Sequence, residues 1–337
     1  MPAASPTFLL VTPYLAPANN GNWRTAARWS RLAAPAWCSI VQRPDEPVRG
    51  GPRDAARAMV ALHARRSRAA IAAWRALAPR RPLVVVLTGT DVYRDVPAGD
   101  ADARASLEDA DRLVVLQEDA LAHLPARLRA KARVVHQSAA TLRPLARKPA
   151  RRLHALLVAH LREEKDPATV FAAWRRLPPG VPAHLDVVGA ALDPALGAAA
   201  RALARDDARV RWLGPRPHAW TRQAIKRAHL VVVPSRMEGG ANVVVEAVTA
   251  GTPVLASRVS GNVGMLGERY AGYFPVGDAE ALARRIEALC RDRDLLAALA
   301  AQCAARAPRF APQVEREALL RVLDEACSSS GTSSADR

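Results

Sequence analysis

The sequence predicts an α/β protein made of two doubly wound domains, and three observations carry that prediction. Short apolar runs alternate with longer segments of helical periodicity, the pattern of parallel strands joined by crossover helices. The alternation runs twice, on either side of a Pro- and Arg-rich stretch from Arg143 to Arg152 that reads as a linker. At 337 residues, half of them apolar, the chain is long for one hydrophobic core and sufficient for two of ordinary size.

In order, the first apolar run is Phe8 to Thr12, followed by the loop Ala16 to Asn22 and a helix from about Trp23 to Ala33, with Arg24, Arg28 and Arg31 at helical spacing. A Gly- and Asn-rich loop between strand and helix is where α/β proteins place ligands. It is not a G-x-G-x-x-G turn, and none occurs elsewhere, which disfavours a nicotinamide enzyme. Ala58 to His63 is the next strand, leading into Ala64-Arg65-Arg66-Ser67 and a helix ending near Leu77. Leu83 to Leu87 ends in Thr88-Gly89-Thr90-Asp91, and Arg112 to Gln117 and Arg133 to Gln137 complete a first domain over 1–145. In the second domain, 146–311, the expected strands are Leu153 to Ala159, Ala183 to Val188, Arg209 to Leu213, Leu230 to Val233 and Val254 to Ala256. Asp278 to Cys290 reads as an amphipathic helix, as does 312–326, which is free to pack back on the first domain; 327–337 reads as a disordered, Ser-rich tail.

The most informative stretch is Leu230 to Ala256: strand, glycine loop, helix, a Gly251-Thr252-Pro253 stop, strand. If its helix begins near Asn242, the first free N–H groups point at the loop and favour an anion. Glu238 lies in the loop, and Glu246 stands among Val243, Val244, Val245, Ala247 and Val248. A carboxylate on so apolar a helix is costly to bury unless something hydrogen-bonds to it. A solvated loop Glu238 and a first-turn Glu246 favoured by the helix dipole are the structural alternatives.

Glu238-Gly239-Gly240, Glu246-Ala247 and Gly251-Thr252-Pro253-Val254 resemble the E-x7-E signature of nucleotide-sugar glycosyltransferases of the GT-B fold, two Rossmann-like domains facing across a cleft. The resemblance implies that Glu238 contacts the donor sugar, that Gly239, Gly240, Ala241 and Asn242 hold the diphosphate, and that Glu246 binds the ribose hydroxyls. That family also carries an Arg and a Lys, four residues between them, on the leaving diphosphate. Lys165 matches the Lys, His160 stands at the Arg position and Arg162 follows it. Because Arg is always ionised and neutral His is not, Arg162 with Lys165 is the expected pair, His160 the alternative.

Composition narrows the partners. The formal net charge of +17 invites nucleic acid, but the basic residues, nearly all Arg, are spread along the chain among alanines, and aromatics are only 4%, so no basic stripe with stacking rings is encoded. No apolar run is long enough to span a membrane, and no secretory leader is read near Phe8 to Val11, so the expected location is cytoplasmic. Cys38, Cys290, Cys303 and Cys327 have neither zinc nor CxxC spacing, which fits a reducing compartment. The triplets Asp100 to Asp102 and Asp109 to Asp111 read as caps and helix ends rather than metal ligands. With Lys and Arg on the diphosphate, neither metal nor cofactor is expected.

A narrower resemblance rests on Gly21 to Trp29, Leu62 to Ser67, Leu87 to Asp95 and Ser260 to Gly267, which together are similar to the selenosugar synthases of selenoneine biosynthesis. It implies a UDP-sugar donor (UDP-N-acetylglucosamine or UDP-glucose) and a selenophosphate acceptor. Many related transferases have a His where this chain has Thr88. An alcohol acceptor often needs such a base, whereas selenophosphate, already an anion, needs positioning and charge neutralisation. The acceptor-binding candidates are Asn20, Gly21, Asn22, Arg24, Arg65, Arg66, Thr88, Thr90 and Asp91. Two readings stand beside this one: a GT-B transferase with an ordinary hydroxyl acceptor, and a non-catalytic basic protein, the latter disfavoured by Glu238, Glu246 and Lys165.

Overall fold

A computed structural model describes residues 5–18, 20–145, 147–149 and 151–329. Among these, twelve strands occur in chain order as β1 (Thr7–Val11), β2 (Cys38–Gln42), β3 (Ala56–Leu62), β4 (Leu83–Leu87), β5 (Arg112–Val115), β6 (Ala132–Val134), β7 (Leu153–Val158), β8 (Ala183–Val188), β9 (Val210–Trp212), β10 (Leu230–Val233), β11 (Val254–Ser257) and β12 (Tyr273–Phe274). The α-helices are α1 (Gly21–Ala33), α2 (Arg68–Leu77), α3 (Ala101–Asp109), α4 (Ala126–Arg129), α5 (Pro167–Arg176), α6 (Pro194–Asp206), α7 (His218–Arg227), α8 (Asn242–Val248), α9 (Ser260–Leu266), α10 (Ala279–Arg291), α11 (Arg293–Arg306) and α12 (Pro312–Ser329). No helix among the described residues is long and apolar enough to cross a membrane.

The chain forms two compact units, one of Met1–Gln137 with Pro312–Arg337 and one of Ser138–Ala311. Each holds one six-stranded sheet, ordered β2-β1-β3-β4-β5-β6 and β12-β11-β10-β7-β8-β9, and every strand pair is parallel. The expected fold class, two doubly wound Rossmann-like α/β domains, is therefore the one observed. Parallel sheets are covered on both faces, which is why their strands read as unbroken apolar runs.

In the first unit, strand alternation sends Leu9, Met59, Val85 and Leu113 to one face, against Ile71 and Trp74 of α2 and Leu107 of α3. Phe8, Leu10, Val60, Val84 and Val114 take the other face, with Trp29 of α1 and Leu319, Val322 and Leu323 of α12. Fully buried Glu315 of α12 accepts from Trp29 Nε1 and Arg28 Nε, each at 2.7 Å, so the C-terminal helix is an integral part of this core. The second unit has one continuous core that takes in Phe171 and Trp174 of α5 and Ile286 of α10.

Two strands, the helices α9 and α11, and one helix end escaped the sequence reading. β2 is an edge strand of mixed polarity, and β12 has only two residues, too few for a periodic signal. Cys327 to Ser329, expected to begin the disordered tail, instead continue α12, whose apolar side remains in contact with the core; the rest of that tail lies outside the described residues. Past Gln137 the chain already belongs to the second unit, where Leu142 donates to the Thr249 carbonyl at 2.9 Å and Pro144 fills the space beside Gly251. The Pro- and Arg-rich stretch thus begins docked rather than as a free linker.

Candidate active site

Polar residues gather at the carboxyl ends of the strands where strand order reverses. In the second sheet β7 lies between β8 and β10, so the loops leaving β7 and β10 turn to opposite sides and open a crevice, the usual ligand position in such folds. The β7 loop supplies Lys165 from a short turn, Glu163–Lys165, that ends in buried Asp166 at φ 44°. The β10 loop supplies Ser235 and Glu238. Glu238 is buried, not the solvated loop residue of the structural alternative, and its Oε1 accepts from Lys165 Nζ and Ser235 Oγ, both at 2.6 Å.

Backbone packing fixes this pair. A Cβ on Gly261, in the first turn of α9, would stand 1.8 Å from the Glu238 carbonyl oxygen, so only glycine lets α9 approach this closely. Gly189, with φ near 150°, plays the same part against the Ala159 carbonyl, 1.8 Å from its hypothetical Cβ. That close approach lets the Ala190 N–H reach His160 Nδ1 at 3.3 Å.

Arg162 is exposed and 3.8 Å from Glu164 Oε2, whereas Arg236, unremarked in the sequence, lies 3.4 Å from Asp166 Oδ2 and donates its N–H to the Glu164 carbonyl at 3.0 Å. α8 begins at Asn242 as expected but has only seven residues, and it closes on a Schellman turn at Gly251, φ 71°. Gly239, Gly240 and Ala241 form the loop ahead of it. Glu246 has found the partner its apolar surroundings require: His218 Nε2, at the start of α7, lies 2.7 Å from its Oε1. Buried Arg222, one turn further, donates to the Glu246 carbonyl at 2.6 Å and to the Ala140 carbonyl.

In the first sheet β1 lies between β2 and β3, and the loops leaving β1, β3 and β4 carry every predicted acceptor residue to one sheet edge. Arg66 stacks over Tyr14 of the β1 loop at 5.2 Å, and Arg65 Nε pairs with Asp95 Oδ2 at 3.0 Å. Asn20 caps α1 by accepting from the Trp23 N–H at 3.1 Å; Gly21, Asn22 and Arg24 form that helix's first turn. Thr88 and Thr90 are half-buried. Asp91 does not face a ligand: fully buried, it accepts the N–H groups of Thr88, Gly89, Val92 and Ala64, which ties the β4 loop to the β3 loop.

Asp100 caps α3 and Asp111 accepts from the Leu83 N–H and Arg75, as structural residues would. Among the described residues His154, His184 and Asp186 bring ligand atoms within 4.8 Å of one another. They do not converge on an ion: Arg211 holds both Asp186 oxygens at 2.8 Å, and the imidazoles stack 4.2 Å apart at 14°, so their lone pairs lie in parallel planes. Burial favours the neutral acid at Asp186, but the hydrogen bonds from His154 and Arg211 outweigh it and hold the carboxyl down at about 2.

Burial, reinforced by His154, pushes His184 from 6.5 down to about 4, and burial with Arg293 and Lys148 nearby does the same to His229. Between those two values the unfolded chain binds more protons than the folded one, so stability falls as pH drops from 6.5 toward 4. Thermal melts between roughly pH 7 and pH 4.5 should show Tm declining, less steeply in His184→Asn. An unchanged slope in that variant would remove His184 from the account.

Comparison with known proteins follows the same division of the chain. The glycosyl transferases group 1 family model matches residues 140–308. Over 121 residues the chain is 34% identical to the D-inositol 3-phosphate glycosyltransferase of Corynebacterium jeikeium (strain K411), covering 34% of this chain and only 28% of that protein. Sucrose-phosphate synthase from Thermosynechococcus elongatus superposes with a TM-score of 0.77 at 19% identity, over 96% of this chain and 99% of the other. Anabaena HepE, solved with UDP and glucose, does so with a TM-score of 0.73 at 16% identity, over 94% and 99%. At such identities the likeness is one of fold.

Proposed function

The chain belongs to the group 1 glycosyl transferases, and we propose that within that family it transfers the sugar of a UDP-sugar, UDP-N-acetylglucosamine or UDP-glucose, to selenophosphate. The observation that carries the donor half is the Lys165–Glu238 contact at the reversal of strand order in the second unit. In this reading Lys165 neutralises the departing diphosphate beside the loop Gly239, Gly240, Ala241 and Asn242. Arg162 or Arg236 adds the second positive charge, and His160 lines the same loop. Glu238 receives a sugar hydroxyl, and Glu246, with one oxygen held by His218, receives the ribose hydroxyls. Structures of relatives bound to UDP support the choice of nucleotide.

The acceptor half rests on the first unit. Selenium attacks the anomeric carbon, a C–Se bond forms, and the C–O bond electrons leave with UDP; water at phosphorus then releases phosphate and leaves the selenosugar. Such a nucleophile needs no base, only donors and positive charge to place it. Arg24, Arg65, Arg66, Asn22, Thr88 and Thr90 offer these at one sheet edge, with Asn20, Gly21 and Asp91 shaping the loops.

The test is UDP release from each UDP-sugar with and without selenophosphate, with mass spectrometry for a selenium-bearing sugar. Glu246→Ala should weaken UDP binding by about 1–3 kcal/mol, since it leaves ribose hydroxyls unpaired. If selenophosphate neither speeds UDP release nor yields a selenosugar, a hydroxyl acceptor takes its place. Unchanged UDP affinity in Glu246→Ala would instead count against the donor site.

A further inference from the structure

The familiar imidazole is missing at Thr88, yet an imidazole does reach this loop from the neighbouring strand. His63, the first residue past β3, lies 2.9 Å through Nε2 from Thr90 Oγ1. It sits in the left-handed region at φ 72°, which is strained for a non-glycine residue and persists only where the surroundings hold it. They do hold it. The His63 N–H donates to the Val86 carbonyl at 2.8 Å, and the Ser67 hydroxyl fixes the turn by donating to the Leu62 carbonyl at 2.7 Å. Asp91 clamps Ala64, Thr88, Gly89 and Val92 at once, so the β3 and β4 loops cannot separate.

The hydrogen bonds also choose the tautomer. His63 Nδ1 faces the Arg66 N–H at 3.4 Å and must accept; Asp91 Oδ2, at 3.9 Å, is too far to take a proton from it. The remaining proton is then on Nε2 and is donated to Thr90 Oγ1. A hydroxyl whose oxygen already accepts has its own proton left to give. Thr90 is half-buried while His63 is almost fully covered, so of the two residues the threonine is the one open to a ligand.

We propose that His63 is a positioning residue that turns the Thr90 hydroxyl into an outward-directed donor for an oxygen of an anionic acceptor. The chain Arg66 N–H to His63, His63 to Thr90, Thr90 to acceptor moves no proton. It differs from a base relay, in which the ring would take the acceptor's proton through Thr90. This inference rests on the acceptor reading given above.

The protein saturated with UDP is titrated calorimetrically with thiophosphate, a stable stand-in for the anion, alongside selenophosphate kinetics. Thr90→Val, matched in shape but leaving the His63 ring N–H without its acceptor, is checked for its melting temperature and should weaken thiophosphate binding and raise the acceptor KM by about tenfold, the worth of one lost hydrogen bond. The UDP Kd should stay put, and Thr90→Ser should restore wild-type values within about twofold. His63→Gln should reproduce the KM effect, and adding it to Thr90→Val should cost nothing further, because the ring acts only through that hydroxyl. Wild-type binding that Thr90→Val leaves intact, or effects of the two substitutions that multiply, overturns the inference alone. Failure of the wild type to bind thiophosphate overturns the acceptor reading and this inference with it.

Discussion

Replacing Lys165 with alanine should lower turnover on the order of a hundredfold or more, because a cation placed where charge develops in the transition state is worth several kcal/mol in a sheltered site. The substitution has a second consequence that the sequence could not convey. Glu238 is buried and shares its Oε1 between Lys165 and Ser235, so removing the ammonium leaves a covered carboxylate with one neutral donor. Breaking such a pair destabilises as well as inactivates. Lys165→Arg separates the two effects: it keeps the charge, should recover stability, and should recover only part of turnover, since a planar fork replaces a point charge. If Lys and Arg together carry the leaving diphosphate, wild-type activity also survives chelator. Strict dependence on added magnesium or manganese, or full activity in Lys165→Ala, would show that the charge is met by other groups.

How much of this was legible depends on the range of the interaction concerned. Glu238, Glu246 and Lys165 stood out because a short motif and an out-of-place carboxylate on an apolar helix are local signals. The partners that explain them are not local. His218 lies 28 residues before Glu246, and Lys165 lies 73 before Glu238; only the order of strands brings each pair together. Ser235 and Arg236 adjoin the motif but carry no pattern of their own. Asp91 misled for the opposite reason. A polar run at a strand end looks like a ligand site, yet this carboxylate is spent on backbone N–H groups, which no side-chain pattern records. The strands themselves were readable wherever a parallel sheet buried both faces, and were lost at the edges, where β2 is half polar and β12 is minimal.

Gly261 is the sharpest case of a residue whose importance exists only in three dimensions, and Gly261→Ala should therefore have an effect out of proportion to one methyl group. Its φ is ordinary, so the backbone of α9 tolerates alanine; what does not is the neighbouring loop. The added Cβ would lie 1.8 Å from the Glu238 carbonyl oxygen, 2.5 Å from its carbon and 2.8 Å from its Cβ, so the glutamate backbone, not a flexible side-chain end, has to move. Forcing a methyl group into such packing costs roughly 1–3 kcal/mol of stability. A shift of about 1 Å in a positioned group can cost on the order of a hundredfold in rate. Turnover should thus fall far more than the fraction of folded protein. UDP affinity should fall less than turnover: the 239–242 loop moves with Glu238, but Glu246 lies on α8 and its partners His218 and Arg222 on α7. Gly180→Ala, where nothing stands within 4 Å of the new Cβ, is the matched control and should leave both stability and turnover as they are. Wild-type turnover in Gly261→Ala would mean that the loop yields without consequence, and that the Glu238 position seen here is not the one the reaction uses.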